Sequence, residues 1–296
     1  MRYGYVGLGN LGFHLAAGLV RAGFGVTAYD RDPAKPAPPG AARADTLAGL
    51  AAACDHVVTC LPSPAASEAV LAAMLPHLKP GATWIENSTL GRADVLRLGG
   101  LAEQAGVAML EAPVTGGVHL AARGEITILA GGPMHLVEAH RPALAAMGGK
   151  LFHMGPLGSA AVIKVITNML AFVHLIADGE ALMLAARGGL DLKTSWEAIA
   201  ASSGSSFVHE TEGQLILNGS YDVGFTMDLA VKDLGFAMDY GREFGVPLVL
   251  AAQAMQTFLQ GRAAYGGAAQ STAITRLLED ALQSPLRADG FPDRLT

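Results

Sequence analysis

The sequence predicts an α/β protein in which a doubly wound, mainly parallel sheet is followed by an all-α C-terminal domain, joined by a long helix. Three observations predict this fold class. Short strand candidates alternate with helical patterns up to about residue 157, as in βαβ units. Beyond that point the strand signal fades. A single helical pattern then runs over 159–187 and ends at two glycines.

The first half contains short apolar runs, typical of buried strands, with helical patterns between them. In chain order, the strand candidates cover 2–6, 25–29, 56–60, 82–86, 107–111, 126–130 and 151–153. The helix candidates between them cover 11–21, 47–53, 65–75 and 93–104. We therefore expect a first domain over 1–157.

The second half shows helical patterns alone. After the long helix, the candidates cover 194–201, 228–244, 248–261 and 272–283. A chain of 296 residues is long enough for two domains with a substantial core. We therefore expect an all-helical second domain over 158–296.

The composition excludes several classes of protein. Hydrophobic residues make up 51% and charged residues 16%, as in a globular chain. The net charge is −6 and the 20 Lys and Arg residues form no run, so we expect no nucleic-acid binding through a basic face. Cys54 and Cys60 are the only cysteines and have no metal-ligand or disulfide pattern. We expect no metal site, and a reducing, cytoplasmic compartment.

The most apolar long window does not predict a membrane span. It covers 159–177 and is interrupted by Lys164, Asn168 and His174. The N-terminus reads as a strand running into glycines and lacks the long apolar core of a signal peptide. We therefore expect no membrane partner.

The first strand candidate runs into a glycine loop that matches the dinucleotide-binding fingerprint. The first glycine permits a tight turn, the second lets a pyrophosphate approach the backbone, and the third permits close packing of helix on strand. The following helix points its N-terminus at the negative charge. We therefore predict a Rossmann domain and a dinucleotide cofactor held by Gly7, Leu8, Gly9, Asn10, Leu11 and Gly12. The alternative is a glycine-rich turn in an unrelated α/β protein.

Asp30 ends the second strand candidate, 23 residues beyond Gly7. A carboxylate at this position can accept hydrogen bonds from the adenosine ribose and repel a 2′-phosphate, which favours NAD. Arg31 follows, and a guanidinium can hold the same phosphate. We expect NAD, with NADP possible.

The third and fourth strands of the series each lead into a polar turn. Cys60 is followed by Leu61 and Pro62, and Glu86 leads to Thr89. The carboxyl ends of parallel strands border the cofactor crevice in this fold, so we expect Leu61, Pro62 and Thr89 to bind the cofactor. The alternative is turn and helix-cap chemistry alone.

Lys164 and Asn168 interrupt the long apolar helix. They lie four residues apart, which places them on nearly the same face, one turn apart. An ammonium and a carboxamide on such a face need a polar partner. From the residues alone, that partner is either a ligand or a carboxylate of the protein, unless the lysine reaches the surface.

Three further segments match the motifs of one family. They are the run EAPVTGG from Glu111 to Gly117 with the stretches 121–124 and 126–132, the segment from Gly155 to Asn168, and residues 228–234. With the glycine loop, these segments resemble the β-hydroxyacid dehydrogenases. That family includes 3-hydroxyisobutyrate dehydrogenase, tartronate semialdehyde reductase and, more distantly, 6-phosphogluconate dehydrogenase. The resemblance covers nearly the whole chain.

The resemblance implies an NAD(P)-dependent oxidoreductase that interconverts a small 3-hydroxy acid and its semialdehyde by hydride transfer. It implies that Lys164 is the catalytic general acid and base. Such a lysine takes the hydroxyl proton or returns it, provided that burial and nearby positive charge lower its pKa from about 10.4 towards working pH. The resemblance also implies substrate binding by Thr115, Gly116, Gly117 and Asn168, and a cofactor contact from Lys232 at the nicotinamide end.

Three positions depart from the common family pattern. Thr115 stands where the family commonly has Ser, Glu111 where it commonly has Asp, and Thr167 where it often has Asn. The first change keeps a hydroxyl. Thr167 leaves a shorter polar group beside the substrate, and it leaves the identity of the acid open.

The alternatives fall into three groups. A 3-hydroxyisobutyrate dehydrogenase-like activity is preferred, and a tartronate semialdehyde or succinic semialdehyde reductase of the same family is the first alternative. Imine reduction on the same two-domain plan is disfavoured by Lys164, which such enzymes generally replace. A non-catalytic dinucleotide-binding sensor or scaffold is the alternative from another class. The resemblance and the apolar second half also imply a homodimer or homotetramer.

Overall fold

The computed structural model describes all residues, 1–296, and the chain folds into two compact units. The first unit is Met1–Lys164 and the second is Val165–Thr296. The boundary lies inside the long helix, so a single helix supplies residues to both. The domain limits of 1–157 and 158–296 stay a prediction that places the break before this helix.

The first unit is built on a nine-stranded sheet. Its strands are β1 (Arg2–Val6), β2 (Gly25–Tyr29), β3 (Ala42–Arg43), β4 (His56–Thr59), β5 (Thr83–Glu86), β6 (Ala108–Glu111), β7 (Val114–Thr115), β8 (Thr127–Gly131) and β9 (Lys150–Gly155). The order is β3-β2-β1-β4-β5-β6-β8-β7, and β9 pairs with β8. Every pair from β3 to β6 is parallel. The order reverses direction at β1, which is the arrangement of a Rossmann domain.

Six helices accompany the sheet. They are α1 (Gly12–Arg21), α2 (Leu47–Ala53), α3 (Pro64–Met74), α4 (Arg92–Gln104), α5 (Val118–Arg123) and α6 (Met134–Met147). One apolar cluster joins the sheet to α1 and α6, and another joins it to α2, α3 and α4. Alternate strand residues feed the two clusters: Val58 and Ile85 enter the first, and Val57 and Trp84 enter the second. This alternation buries both faces of the sheet and confirms the predicted doubly wound α/β class.

The second unit is all-helical. Its helices are α7 (Ser159–Arg187, which begins in the first unit), α8 (Leu192–Ala200), α9 (Phe207–Asn218), α10 (Met227–Phe244), α11 (Val249–Tyr265) and α12 (Arg276–Leu282). One core cluster includes Phe172, Leu182, Ile216, Leu234 and Phe258. These side chains come from α7, α9, α10 and α11, so the second unit has an apolar core of its own.

α7 is long and apolar enough to cross a membrane by length and composition. Its 29 residues contain an 18-residue window with a mean hydropathy of 1.9, of which 33% is buried. The helix also forms part of the second unit's core, through Phe172, Leu175 and Leu182. A core helix passes the same test of length and composition as a membrane span, so the test alone does not indicate a membrane.

Several elements were not predicted. β7 has only two residues, and it pairs antiparallel with β8, as does β6. α6 contains Pro142, which the helical pattern does not favour. α9 contains Gly213, which weakens a helical pattern, and tertiary packing buries Leu215 and Ile216. The predicted helix over 272–283 is a 3₁₀ turn, Ser271–Thr275, followed by α12.

Candidate active site

The glycine loop lies between β1 and α1, and two of its glycines are required by the backbone itself. Gly7 has φ +96°, and a Cβ there would lie 2.2 Å from the carbonyl oxygen of Cys60. A Cβ on Gly12 would lie 2.0 Å from the carbonyl oxygen of Gly7. Any side chain at either position would therefore force the loop away from the end of β4 or open the loop.

Gly9 differs from the other two glycines. It is exposed, and a Cβ built on it would meet nothing within 4 Å. The N-cap residue of α1 is Leu11, whose side chain makes no hydrogen bond to the first turn of the helix. An open backbone at Gly9 before an uncapped helix N-terminus fits a pyrophosphate, which binds through backbone amides and the helix dipole.

Asp30 lies beside this loop, at the carboxyl end of β2. Its Oδ2 accepts a hydrogen bond from the Leu8 amide at 2.7 Å, and its Oδ1 accepts one from the Asp32 amide at 2.9 Å. Arg31 is exposed. The carboxylate is thus fixed by the backbone next to the glycine loop, where an adenosine ribose would need its acceptors.

The turns after β4 and β5 are tied together by a buried carboxyl group. The Leu61 amide donates to Ser88 Oγ at 2.7 Å, and the Ser88 amide and hydroxyl both donate to Glu86 Oε1. Glu86 is 1% exposed, and burial raises the pKa of its carboxyl group. Pro62 is exposed on the turn held by this network, and Thr89 follows Ser88. Sequence reasoning selected Leu61, Pro62 and Thr89 as cofactor contacts but did not predict the bonds by which Glu86 and Ser88 join the two turns.

The loop after β6 contains the residues predicted to hold a substrate carboxylate. Thr115 lies at the end of β7 and pairs with Thr127 of β8. Gly116 and Gly117 follow with φ values of +124° and +89°, in the region that favours glycine. A Cβ on Gly116 would also lie 2.7 Å from Leu120 Cδ1. The conformation of this loop therefore depends on both glycines.

Lys164 lies in the second turn of α7 and is 7% exposed. The first turn of the same helix is held by Glu111 at the end of β6. Glu111 Oε1 accepts hydrogen bonds from the amides of Gly158 and Ala160, and Oε2 accepts one from the amide of Ala161. Sequence reasoning noted Glu111 only as a departure from the family pattern. The contact spans 47 to 50 residues of sequence, and no local pattern indicates it.

Two other predicted residues meet inside the second unit. Asn168 Nδ2 donates to Asp233 Oδ2 at 2.6 Å, and Lys232 Nζ lies 2.9 Å from Asp233 Oδ1. Asp233 is 1% exposed. Lys232 also lies over the ring of Phe236, 5.2 Å from its centre. Sequence reasoning treated Asp233 as a local neighbour of Lys232, whereas its carboxylate connects Lys232 with Asn168.

The predicted site residues thus form two groups. The glycine loop, Asp30, Leu61, Pro62, Thr89, the loop 115–117 and Lys164 belong to the first unit. Asn168 and Lys232 belong to the second. Asn168 continues the face of α7 on which Lys164 lies, one turn further along the same helix.

Family profiles match both parts of the chain. Residues 2–155 match the NAD binding domain of 6-phosphogluconate dehydrogenase, and residues 158–278 match a profile described as NAD-binding of NADP-dependent 3-hydroxyisobutyrate dehydrogenase. The first match covers more than half of the chain. These matches confirm the predicted dinucleotide cofactor, NAD with NADP possible.

Individual relatives match over almost their full length. The chain is 32% identical to 2-(hydroxymethyl)glutarate dehydrogenase of Eubacterium barkeri over 286 residues, covering 94% of this chain and 95% of the relative. It is 34% identical to L-threonate dehydrogenase of Cupriavidus necator over 281 residues, covering 93% and 95%. The solved structure of Mycobacterium tuberculosis 3-hydroxyisobutyrate dehydrogenase with L-serine has a TM-score of 0.83 and 29% identity, and it covers 94% of this chain and 98% of that one.

The fold, the glycine loop and these relatives agree with the resemblance found in the sequence. Two profiles in the expected order account for both units. Both named relatives are dehydrogenases of hydroxy acids, and the second profile describes an NADP-dependent 3-hydroxyisobutyrate dehydrogenase. This chain belongs to the β-hydroxyacid dehydrogenase family, the NAD(P)-dependent oxidoreductases that include 3-hydroxyisobutyrate dehydrogenase.

Proposed function

We propose that the protein interconverts a small 3-hydroxy acid and its semialdehyde, with Lys164 as the general acid and base. One observation carries this proposal for the site: Lys164 is 7% exposed on an otherwise apolar stretch of α7. Removal from water disfavours the charged form of an amine, which makes proton release easier. A lysine kept in this way can pass a proton in either direction of the reaction.

The proton moves between Lys164 Nζ and the substrate oxygen. During oxidation, the neutral amine takes the hydroxyl proton while hydride leaves the carbon. During reduction, the ammonium returns that proton to the developing alkoxide. When bound, the nicotinamide cofactor accepts or supplies the hydride. Lys164 therefore serves the same atom of the substrate in both directions, and no second acid or base is required.

The loop 115–117 would hold the substrate carboxylate. Its two glycines let a ligand approach the main chain, and Thr115 supplies a hydroxyl. A carboxylate fixed there limits the positions open to the neighbouring hydroxyl carbon. Asn168 would contribute through its carboxamide, whose Nδ2 already donates to Asp233. A carboxamide both donates and accepts hydrogen bonds, so Asn168 can contact a substrate hydroxyl or carboxylate.

The cofactor would be bound by the glycine loop and by Asp30. It would also contact the turns after β4 and β5, which carry Leu61, Pro62 and Thr89. Asp30 accepts from the Leu8 amide, so its carboxylate is held where it would repel a 2′-phosphate. We therefore propose NAD as the preferred cofactor. Lys232 would act at the nicotinamide end.

The substrate class is tested by nicotinamide absorbance with purified protein, NAD or NADP, and a panel of hydroxy acids. We propose a small acid with an uncharged remainder, and the panel includes 3-hydroxyisobutyrate, L-threonate, L-serine and 2-(hydroxymethyl)glutarate. Turnover of one acid, faster with NAD, is the expected result. Faster turnover of tartronate or succinic semialdehyde would select the alternative reductase. Cofactor binding without turnover on acids, semialdehydes or imines would favour the non-catalytic alternative.

We also propose that the protein is a homo-oligomer assembled through α7. Six exposed residues recur on this helix at intervals of three and four: Ile166, Leu170, His174, Ala177, Ala181 and Leu184. Residues at this spacing form one stripe, since 18 residues make five turns. The stripe is apolar apart from His174, with the exposed Glu180 at its edge, and its small central residues permit close approach of an identical helix. A second copy of this chain is the partner that fits an apolar, self-complementary stripe.

The molar mass of the protein, measured by light scattering as it elutes from a size-exclusion column, tests this proposal. The wild type is expected at an even multiple of the 30.4 kDa chain mass, and Ala177→Arg is expected to shift the mass towards a single chain. Arginine would place a charge inside the contact. Leu190→Arg is the matched control, because Leu190 is 62% exposed and lies outside the stripe. A wild-type mass of one chain at micromolar concentration would contradict the proposal.

The cytoplasmic location remains part of the proposal. Cys54 and Cys60 are both free thiols, and their use as unpaired residues fits a reducing compartment. The interpretation of α7 as a core and interface helix agrees with this location.

A further inference from the structure

The carboxylate of Glu111 accepts three backbone hydrogen bonds at the first turn of α7. Oε1 accepts from the Gly158 amide at 2.6 Å and from the Ala160 amide at 3.0 Å, and Oε2 accepts from the Ala161 amide at 2.9 Å. Glu111 itself is 1% exposed. Burial raises the pKa of this carboxyl group, and the three backbone amides oppose the rise. All three contacts use the carboxyl group as an acceptor, as the ionised form does.

The Glu111 side chain occupies space that a side chain at position 131 of the neighbouring strand would otherwise fill. Gly131 of β8 pairs with Glu111 across the antiparallel β6–β8 contact. A Cβ on Gly131 would lie 2.1 Å from Glu111 Oε1 and 2.8 Å from its Cδ. The carboxyl group therefore lies over a strand position without a side chain, and glycine at 131 is matched to glutamate at 111.

We propose that Glu111 is a positioning residue that fixes Lys164 relative to the substrate loop 115–117. The inference rests on the proposed function of Lys164 and deepens it. Both segments are joined to Glu111 within a few residues: Thr115 lies four residues after it, and Lys164 lies three residues after Ala161. The Glu111 side chain thus sets the distance between the loop that would hold the substrate carboxylate and the Lys164 amine that would exchange a proton with the substrate hydroxyl.

Three hydrogen bonds to the Glu111 carboxylate fix the orientation of the first turn of α7 as well as its distance from β6. The Gly158, Ala160 and Ala161 amides lie at different positions around the helix axis, so a bond to each limits rotation as well as translation of the first turn. The negative charge also complements the positive end of the helix dipole. Lys164 is one turn away from Ala160 and inherits the orientation of that turn. Small misplacements of a reacting group cost rate without loss of binding.

Glu111→Gln disrupts the three hydrogen bonds to the first turn of α7 while keeping the size of the side chain. A carboxamide keeps one acceptor and places an NH₂ donor against at least one backbone amide, so the three bonds cannot all form. We expect kcat to fall by about 10- to 100-fold, since a misplacement of about 1 Å costs up to about 100-fold. The dissociation constant for NADH should change by less than about twofold, because the glycine loop and Asp30 follow β1 and β2 and are joined by their own hydrogen bond. KM for the hydroxy acid should change less than kcat.

The measurements use steady-state kinetics of the full chain, with each preparation normalised to its NADH binding sites. This normalisation removes the effect of protein that fails to fold. Glu138→Gln is the matched control, because Glu138 is an exposed carboxylate paired with Arg141 on α6. Its kcat should equal that of the wild type. An unchanged kcat per binding site in Glu111→Gln would overturn the inference.

Gly131 supplies a second, independent test that leaves the charge in place. Gly131→Ala should displace the carboxylate and lower kcat per binding site as Glu111→Gln does. Glu111→Asp combined with Gly131→Ala should recover at least part of that loss, since the shorter side chain vacates the space that the new methyl needs. Absence of any kcat loss in Gly131→Ala, or of any recovery in the double variant, would contradict the inference. The proposed function fails separately, if Lys164→Met retains activity.

Discussion

Lys164→Met is expected to lower kcat by about 10³-fold, within the range of about 10²- to 10⁴-fold that a positioned acid or base supplies. Methionine keeps the length and apolar body of the side chain, so the packing of α7 around this buried position is retained. The amine that would exchange a proton with the substrate is lost. The measurement is turnover under saturating cofactor with the hydroxy acid found in the panel.

Two comparisons separate a catalytic from a structural role for Lys164. Lys150→Met replaces an exposed lysine at the start of β9 and should leave kcat unchanged. The dissociation constant for NADH should stay within about twofold in Lys164→Met, because the glycine loop is intact. Lys164→Ala opens space for a small primary amine in solution, which should restore part of the turnover. Retention of more than about a tenth of the wild-type kcat would contradict general acid–base catalysis by this residue.

Gly9→Ala is expected to weaken NADH binding by about 100-fold, which corresponds to about 2.7 kcal/mol, without changing the stability of the protein alone. A Cβ at this position meets nothing within 4 Å, so the fold accommodates it. The same methyl would occupy the place where the backbone must meet the pyrophosphate. The measurements are fluorescence titration with NADH and the thermal midpoint without cofactor.

Two other glycines make the test specific. Gly7→Ala should lower the thermal midpoint as well as cofactor affinity, because its Cβ would lie 2.2 Å from the Cys60 oxygen and its φ is +96°. Gly100→Ala should change neither quantity much, since Gly100 lies on α4 and its added Cβ also meets nothing within 4 Å. Unchanged NADH affinity in Gly9→Ala would mean that the cofactor does not approach the loop at this residue.

Most of the first unit could be predicted because its signals are local. β1 and β2 have the predicted limits, and α7 does as well. A strand buried on both faces is a short apolar run, and a long helix repeats its apolar residues, so each is visible in a window of a few residues. The glycine loop was equally visible, because the turn and its open backbone need glycine at fixed spacing.

Elements that depend on their neighbours could not be predicted. α6 contains Pro142 and α9 contains Gly213, so the local pattern disfavours each helix, yet apolar packing retains both. β7 is too short to show any period, and its pairing with β8 defines it. In the two helices, tertiary contacts outweigh a helix propensity cost of about 1 kcal/mol for Gly and about 3 kcal/mol for Pro.

The sequence by itself determined the fold class, the family, the dinucleotide loop and the residue types that would perform the chemistry. Only the tertiary structure decided what holds those residues. Glu86 and Ser88 fix the turn at Leu61, Asp233 joins Lys232 to Asn168, and Glu111 holds the helix that carries Lys164. Several of these bonds join residues far apart in the chain. The donors to Glu111 and the bond from Asn168 to Asp233 come from residues 47 to 65 positions away, so folding brings them together and no local spacing encodes them.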